Sequence, residues 1–198
     1  MSDFKVRDSE VSLLIAIATD LKPDEDNFEQ WADSPFGWLK LGIPPARKGK
    51  ISEEIVARYF AEKGFDVVKS PDREADRIIE NVRVEIKFST LWENGISKFQ
   101  QLRDQNYNIA ICLGISPFDA HCWVLPKETI MCNWGNVPGL GGQHGGSDAT
   151  DTAWLEVCPT RVHDWLSPYG GTLSQAIEVF ASLITKSPKP EPIIPARR

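Results

Sequence analysis

Apolar positions change period along this chain, and the changes mark its elements. The run Val82-Arg83-Val84-Glu85-Ile86-Lys87-Phe88 alternates strictly. It predicts a strand with Val82, Val84, Ile86 and Phe88 on one face and Glu85 and Lys87 on the other. A second run rich in β-branched residues, Arg77-Ile78-Ile79, precedes it, separated only by Glu80-Asn81. Asn tolerates the positive φ that a two-residue hairpin turn demands. With those two residues as the loop, Ile79 pairs with Val82, Ile78 with Arg83, Arg77 with Val84, and Asp76 with Glu85. Residues 65–68 read as a short strand before the hairpin, and 109–115, 121–126 and 153–157 read as strands after it.

Elsewhere the period is helical. Residues 48–65 predict one helix with Ser52 as N-cap, Gly64 as stop, and Ile55, Val56, Tyr59 and Phe60 as the buried stripe. Residues 13–21 predict another helix, and 27–31 the start of a further one. Residues 91–103 are expected to include a helix ending near Gln100-Gln101. Residues 172–185 are amphipathic, burying Leu173, Ala176, Ile177, Phe180 and Ile184. Trp31, Phe36 and Trp38 are expected to pack inside; their exposure would mark a dimer face. Together these elements imply an α/β fold in which a central mixed sheet carries the hairpin and helices flank it. One domain is expected over 1–186, with a helical N-terminal extension over 1–48, a Gly-rich loop over 133–152 and a Pro-rich tail over 187–198 that cannot hold a helix. There are no internal repeats.

Composition narrows the class. A chain of 198 residues with 41% hydrophobic and 25% charged residues suits one compact domain. No apolar run approaches a membrane span, and the N-terminus lacks a signal-peptide pattern. The four cysteines have no Cys-x-x-Cys spacing, so neither a disulfide framework nor a zinc site is indicated, and a cytoplasmic location is expected. The net charge of −6 weighs against a nucleic-acid partner, whose footprint is normally basic. The densest basic cluster is Arg47-Lys48-Lys50, near the start of the helix that carries Glu53. An acidic metal centre is compatible with overall negative charge, because the ion sets the local field.

The hairpin register carries the candidate chemistry. It places the Asp76 and Glu85 carboxylates opposite one another, with Cβ atoms roughly 5 Å apart. Like charges so placed repel unless a cation lies between them, and Mg²⁺ is bound by one or two carboxylates. Lys87 projects from the same face about 6–7 Å further along. A Glu-x-Lys triplet also arises by chance about once in a chain of this size, so its weight comes from the paired acid, the shared register and the apolar opposite face.

The succession of helix, short strand, acidic residue, hairpin and Glu85-Ile86-Lys87 resembles the core of the PD-(D/E)XK nuclease superfamily, with the restriction-endonuclease-like fold. The resemblance spans roughly residues 49–127, with 99–115 similar to the helix and fourth core strand and 121–126 to the strand that follows. It implies a Mg²⁺-dependent DNA endonuclease producing 5′-phosphate and 3′-hydroxyl ends, most similar to type II restriction enzymes acting as homodimers on double-stranded DNA. Other nucleases of the superfamily, in repair, junction resolution, homing or phage defence, or a catalytically silent DNA-binding module on the same scaffold, are the alternatives. In this resemblance Asp76 and Glu85 are the metal-binding acids, and Lys87 orients or helps deprotonate the attacking water. Glu53 is the helix acid aimed at the metal, preferred over Glu54. A literal Pro-Asp pair stands at Pro71-Asp72, but Ile78-Ile79 after Asp76 mark the start of a strand and favour Asp76. Candidate DNA contacts are Lys48, Lys50, Gln100 and Gln101, with Gln143, His144, Asp148 and Thr150 in the Gly-rich loop.

Overall fold

The computed structural model describes residues 8–21, 31, 33–40, 43–92, 94–142 and 152–186. Its centre is a six-stranded mixed sheet in the order β1 (Val67–Lys69), β2 (Arg77–Ile79), β3 (Val82–Thr90), β5 (Ile109–Ser116), β6 (Asp119–Pro126) and β9 (Gly170–Gly171). Neighbours are antiparallel except β3 and β5, which run parallel. A second antiparallel sheet, β4 (Ser97–Leu102), β8 (Ala153–Val157) and β7 (Leu140–Gly142), covers one face of the first. The opposite face is covered by α1 (Ser9–Asp20), the short α2 (Gly37–Lys40), α3 (Pro45–Glu62) and α5 (Leu173–Lys186). Helix α4 (Lys127–Asn133) follows β6 and joins the second core through Ile130.

The side-chain sizes along β5 explain why these layers differ. Ile109, Ile111, Leu113 and Ile115 point into the helical layer, whereas Ala110 and Cys112 point towards the second sheet. Gly114 continues the small series: a Cβ there would lie 2.8 Å from Ser97 Oγ and 3.3 Å from Ser97 Cβ. Bulky residues thus meet helices, and small ones let a second sheet approach closely enough for Phe99 to pack edge-on to Trp123, with ring centroids 6.1 Å apart.

The hairpin has the register read from its alternation, with Arg77 opposite Val84, Ile78 opposite Arg83 and Ile79 opposite Val82. Both loop residues have positive φ, 50° at Glu80 and 66° at Asn81, as a type I′ turn requires. Glu80 is an unusual occupant, and its side chain is tied down: Oε1 accepts the Asp66 N–H at 2.8 Å. The predicted strand over 153–157 is β8, and the amphipathic segment over 172–185 is α5, with Leu173, Ala176 and Phe180 fully buried. Trp31, Phe36 and Trp38 are core residues and so do not form an exposed dimer face. Cys112 and Cys122 are buried, and all four cysteines are free thiols.

Two expectations fail for identifiable reasons. No helix lies within the described part of 91–103; Ser97–Leu102 is strand β4. Phe99 pairs with Leu155 and Leu102 with Ala153, so Gln100 and Gln101 together oppose the single residue Trp154. This β-bulge, with Gln101 at φ 59°, absorbs one residue and buries two apolar positions three apart, a spacing that otherwise signifies a helix. Ser52 is not an N-cap: α3 begins at Pro45, a favoured first-turn residue, and Ser52 lies inside the helix with its hydroxyl donating to the Lys48 carbonyl at 2.7 Å. The Gly-rich segment over 133–152 is not all loop, since Leu140–Gly142 within it is strand β7, paired with β8. The proposed helix start over 27–30, residues 143–151 of that segment and the tail over 187–198 lie outside the described residues.

Helix α5 is fixed to the sheet by an aromatic cluster. Phe180 sits edge-on to Phe60 at 5.1 Å and to Phe65 at 5.3 Å and is fully buried. Phe180→Ala is therefore expected to lower the unfolding free energy by about 3–5 kcal/mol. Chemical denaturation measures this; a loss below about 1 kcal/mol would mean that α5 docks without the ring.

Candidate active site

Strand β2 pairs with β3 only up to Val84, so the later part of β3 has β5 on one side and no ladder partner on the other. Asp76, the residue just before β2, occupies the point where pairing stops. Its backbone N–H donates to the Val84 carbonyl at 2.9 Å. Its carboxylate Oδ2 accepts the Ile86 N–H at 2.7 Å. That N–H belongs to the peptide joining Glu85 to Ile86, so the Asp76 carboxylate is fixed beside Glu85 by an otherwise unpaired edge group.

Around this edge lies a cleft of about 480 Å³. Helix α3 contributes Lys48 and Glu53, the hairpin contributes Asp76, Glu85 and Lys87, and the β3–β4 turn contributes Trp92. Strand β4 contributes Lys98, Gln100 and Gln101. Residues as far apart in sequence as Lys48 and Gln101 therefore line one groove, with both the helical and the second-sheet layers forming its sides.

Glu85 is only 7% exposed, and Lys87 Nζ lies 2.6 Å from its Oε1. Burial pushes the Glu85 carboxyl above the usual range; Lys87 opposes the shift and the nearby Asp76 charge adds to it. Glu53 is raised in the same direction, first by burial and then by Asp76, with Arg77 opposing and Glu85 adding. The three acids therefore sense one another electrostatically, although Glu53 leans towards Arg77, whose Nη1 is 3.5 Å from its Oε2. Among the described residues, no three His, Cys, Asp or Glu side chains converge tightly enough to hold an ion by themselves. Mg²⁺ does not require such a cage: it takes one or two carboxylates and completes its octahedron with waters and substrate phosphate. Asp76 and Glu85, adjacent, partly desolvated and mutually repelling, fit that demand. Three lysines and three acids line the groove, so it is formally neutral, and one divalent ion makes it net positive.

The other candidates separate cleanly. Asp72 is paired with Arg83 at 2.6 Å and caps the Glu74 N–H, away from the groove. Glu54 pairs with Arg58 and with Arg77 and does not line the groove, whereas Glu53 does. Lys48 lines it; Lys50 is exposed on the same helix but does not. The bulge leaves both Gln100 and Gln101 exposed at the groove. Gln143, His144, Asp148 and Thr150 lie outside the described residues. Trp92 and Lys98 were not among the sequence candidates. A tryptophan in a turn and a lysine on a strand carry no motif, and only the folded arrangement sets them beside the acids.

No helix among the described residues is long and apolar enough to cross a membrane. No family model matches the chain, and no curated protein matches it. Among solved structures, the chain is similar to a bacterial homing endonuclease, I-Ssp6803I, at 14% identity and a TM-score of 0.46, with 73% of this chain and 99% of that one covered.

Proposed function

We propose that the protein is a Mg²⁺-dependent DNA endonuclease that hydrolyses phosphodiester bonds to 5′-phosphate and 3′-hydroxyl ends. The observation that carries this reading is the Asp76 carboxylate held on the Glu85–Ile86 peptide, with Lys87 against Glu85 in the same groove. The resemblance of this helix–hairpin succession to the PD-(D/E)XK core supports the same chemistry. Asp76 and Glu85 would hold Mg²⁺, with Glu53 bordering the site. Held by these acids, Mg²⁺ would supply positive charge against a scissile phosphate and make an attacking water more acidic. Lys87, beside Glu85 in the groove, would direct its ammonium at the attacking water and at the charge developing on phosphorus. Attack in line with the 3′ oxygen leaves the phosphate on the 5′ side.

Double-stranded DNA cut by a homodimer, in the manner of a cytoplasmic type II restriction enzyme, is the specific form we favour. One active site per strand matches a two-fold protein to a palindromic sequence. Incubating the purified protein with plasmid and Mg²⁺ tests this directly. Discrete fragments of fixed end sequence are expected. Preferential cutting of branched DNA would replace restriction by junction resolution, and no cleavage with any divalent ion would remove the enzymatic reading.

A further inference from the structure

Trp92 is one of two large hydrophobic side chains exposed among the described residues, at 45%, and the one that lines the groove of the acids. It is not loosely placed. Its backbone N–H donates to the Ile96 carbonyl at 2.9 Å, and its backbone carbonyl accepts the Gly95 N–H at 2.9 Å, closing the turn between β3 and β4. Lys98 Nζ sits 4.9 Å from its ring centroid and 5.1 Å from that of Trp154, and it is anchored to Glu156 at 2.6 Å. A cation against an indole holds the ring and leaves its remaining surface to the groove. An apolar plate of this size, kept in water beside lysines and a metal-binding pair, matches a nucleotide: the ring meets the base, and the charged groups meet the phosphate.

The geometry points to Trp92 as a stacking platform for an unpaired nucleobase next to the scissile phosphate. This rests on the nuclease reading but not on its restriction form, because it takes DNA with an unpaired base at the cut site in place of a continuous palindromic duplex. Inside a continuous duplex both faces of a base are covered by its neighbours, so a protein ring can stack only on a base that is extruded, bulged or single-stranded. Gln100 and Gln101, turned out together by the bulge at the same groove, supply amide donors and acceptors for the edge of such a base.

The test uses Asp76→Asn protein, whose cleavage is expected to be about 10²–10³-fold slower and so to leave the oligonucleotides whole during the measurement, and fluorescence anisotropy in Mg²⁺. Three oligonucleotides are compared: a continuous duplex, the same duplex with one unpaired nucleotide, and a single strand. Trp92→Ala is expected to weaken binding to the second and third by roughly tenfold or more and to leave the duplex within about twofold. Trp92→Phe should restore much of the loss, because a smaller ring still stacks. Equal loss on all three substrates, or no loss on any, overturns the stacking platform while leaving the nuclease reading intact. Failure of the Trp92-containing protein to bind any DNA overturns both.

Discussion

Asp76→Asn is expected to reduce Mg²⁺-dependent cleavage by about 10²–10³-fold, the scale for removing one preorganised charge-stabilising group, with the fold preserved. The asparagine oxygen can still accept the Ile86 N–H, so the edge of β3 stays capped and only the charge is lost. Because Asp76 helps push the Glu85 and Glu53 carboxyls upward, its removal relieves like-charge repulsion. The thermal midpoint of the variant without metal should equal or exceed that of the parent protein. Mg²⁺ is then expected to raise the midpoint of the parent and not that of the variant. A variant that cuts at the parent rate would take Asp76 out of the site.

The raised carboxyls also set a pH dependence with a definite sign. Glu85 and Glu53 hold protons to higher pH in the folded chain than in the unfolded one, so their ionisation opposes folding. Stability from these two groups rises as pH falls through their folded values and levels off below the unfolded ones. Mg²⁺ demands the ionised forms, so its binding at mildly acidic pH should release protons. Calorimetric titration in two buffers of different ionisation enthalpy reads the number released. Binding with no proton release would mean that the ion does not sit on these acids.

Lys87→Ala should lower cleavage by a similar factor, and it should also cost stability. The ammonium is the close partner of a Glu85 carboxylate that is 7% exposed, so its loss leaves a buried charge uncompensated. Breaking a fully buried pair costs about 3–5 kcal/mol, and water in the groove reduces this to about 2–3 kcal/mol. The loss should grow as pH rises and ionises Glu85, and shrink as falling pH neutralises it. Mg²⁺ should recover stability without recovering cleavage. Chemical denaturation across pH, with and without the metal, separates the two effects; a variant as stable as the parent at neutral pH would mean that Glu85 is already protonated there.

The hairpin was legible because its information is local. Val82 to Phe88 alternate, Asn81 accepts positive φ, and a two-residue loop leaves one register, so both arms and the Asp76–Glu85 neighbourhood follow from adjacent residues. Strand β8 and helix α5 were legible for the same reason. Strand β4 was not. Phe99 and Leu102 are three apart, and the choice between a helical turn and a bulged strand depends on Leu155 and Ala153, more than fifty residues away. Ser52 misled in the same manner: its hydroxyl suits an N-cap, but Pro45 starts the helix a turn and more upstream.

Local order along the chain thus specified which acids and which lysine share a strand face, since backbone periodicity is a property of neighbours. Tertiary packing alone brought Glu53 across from α3, separated Asp72 and Glu54 into surface ion pairs, and stood Trp92 on Lys98 at the rim of the groove. Those placements arise from small residues on β5 admitting a second sheet and from α3 docking on the other face. Each is decided by contacts between segments distant in the chain, which no local pattern encodes.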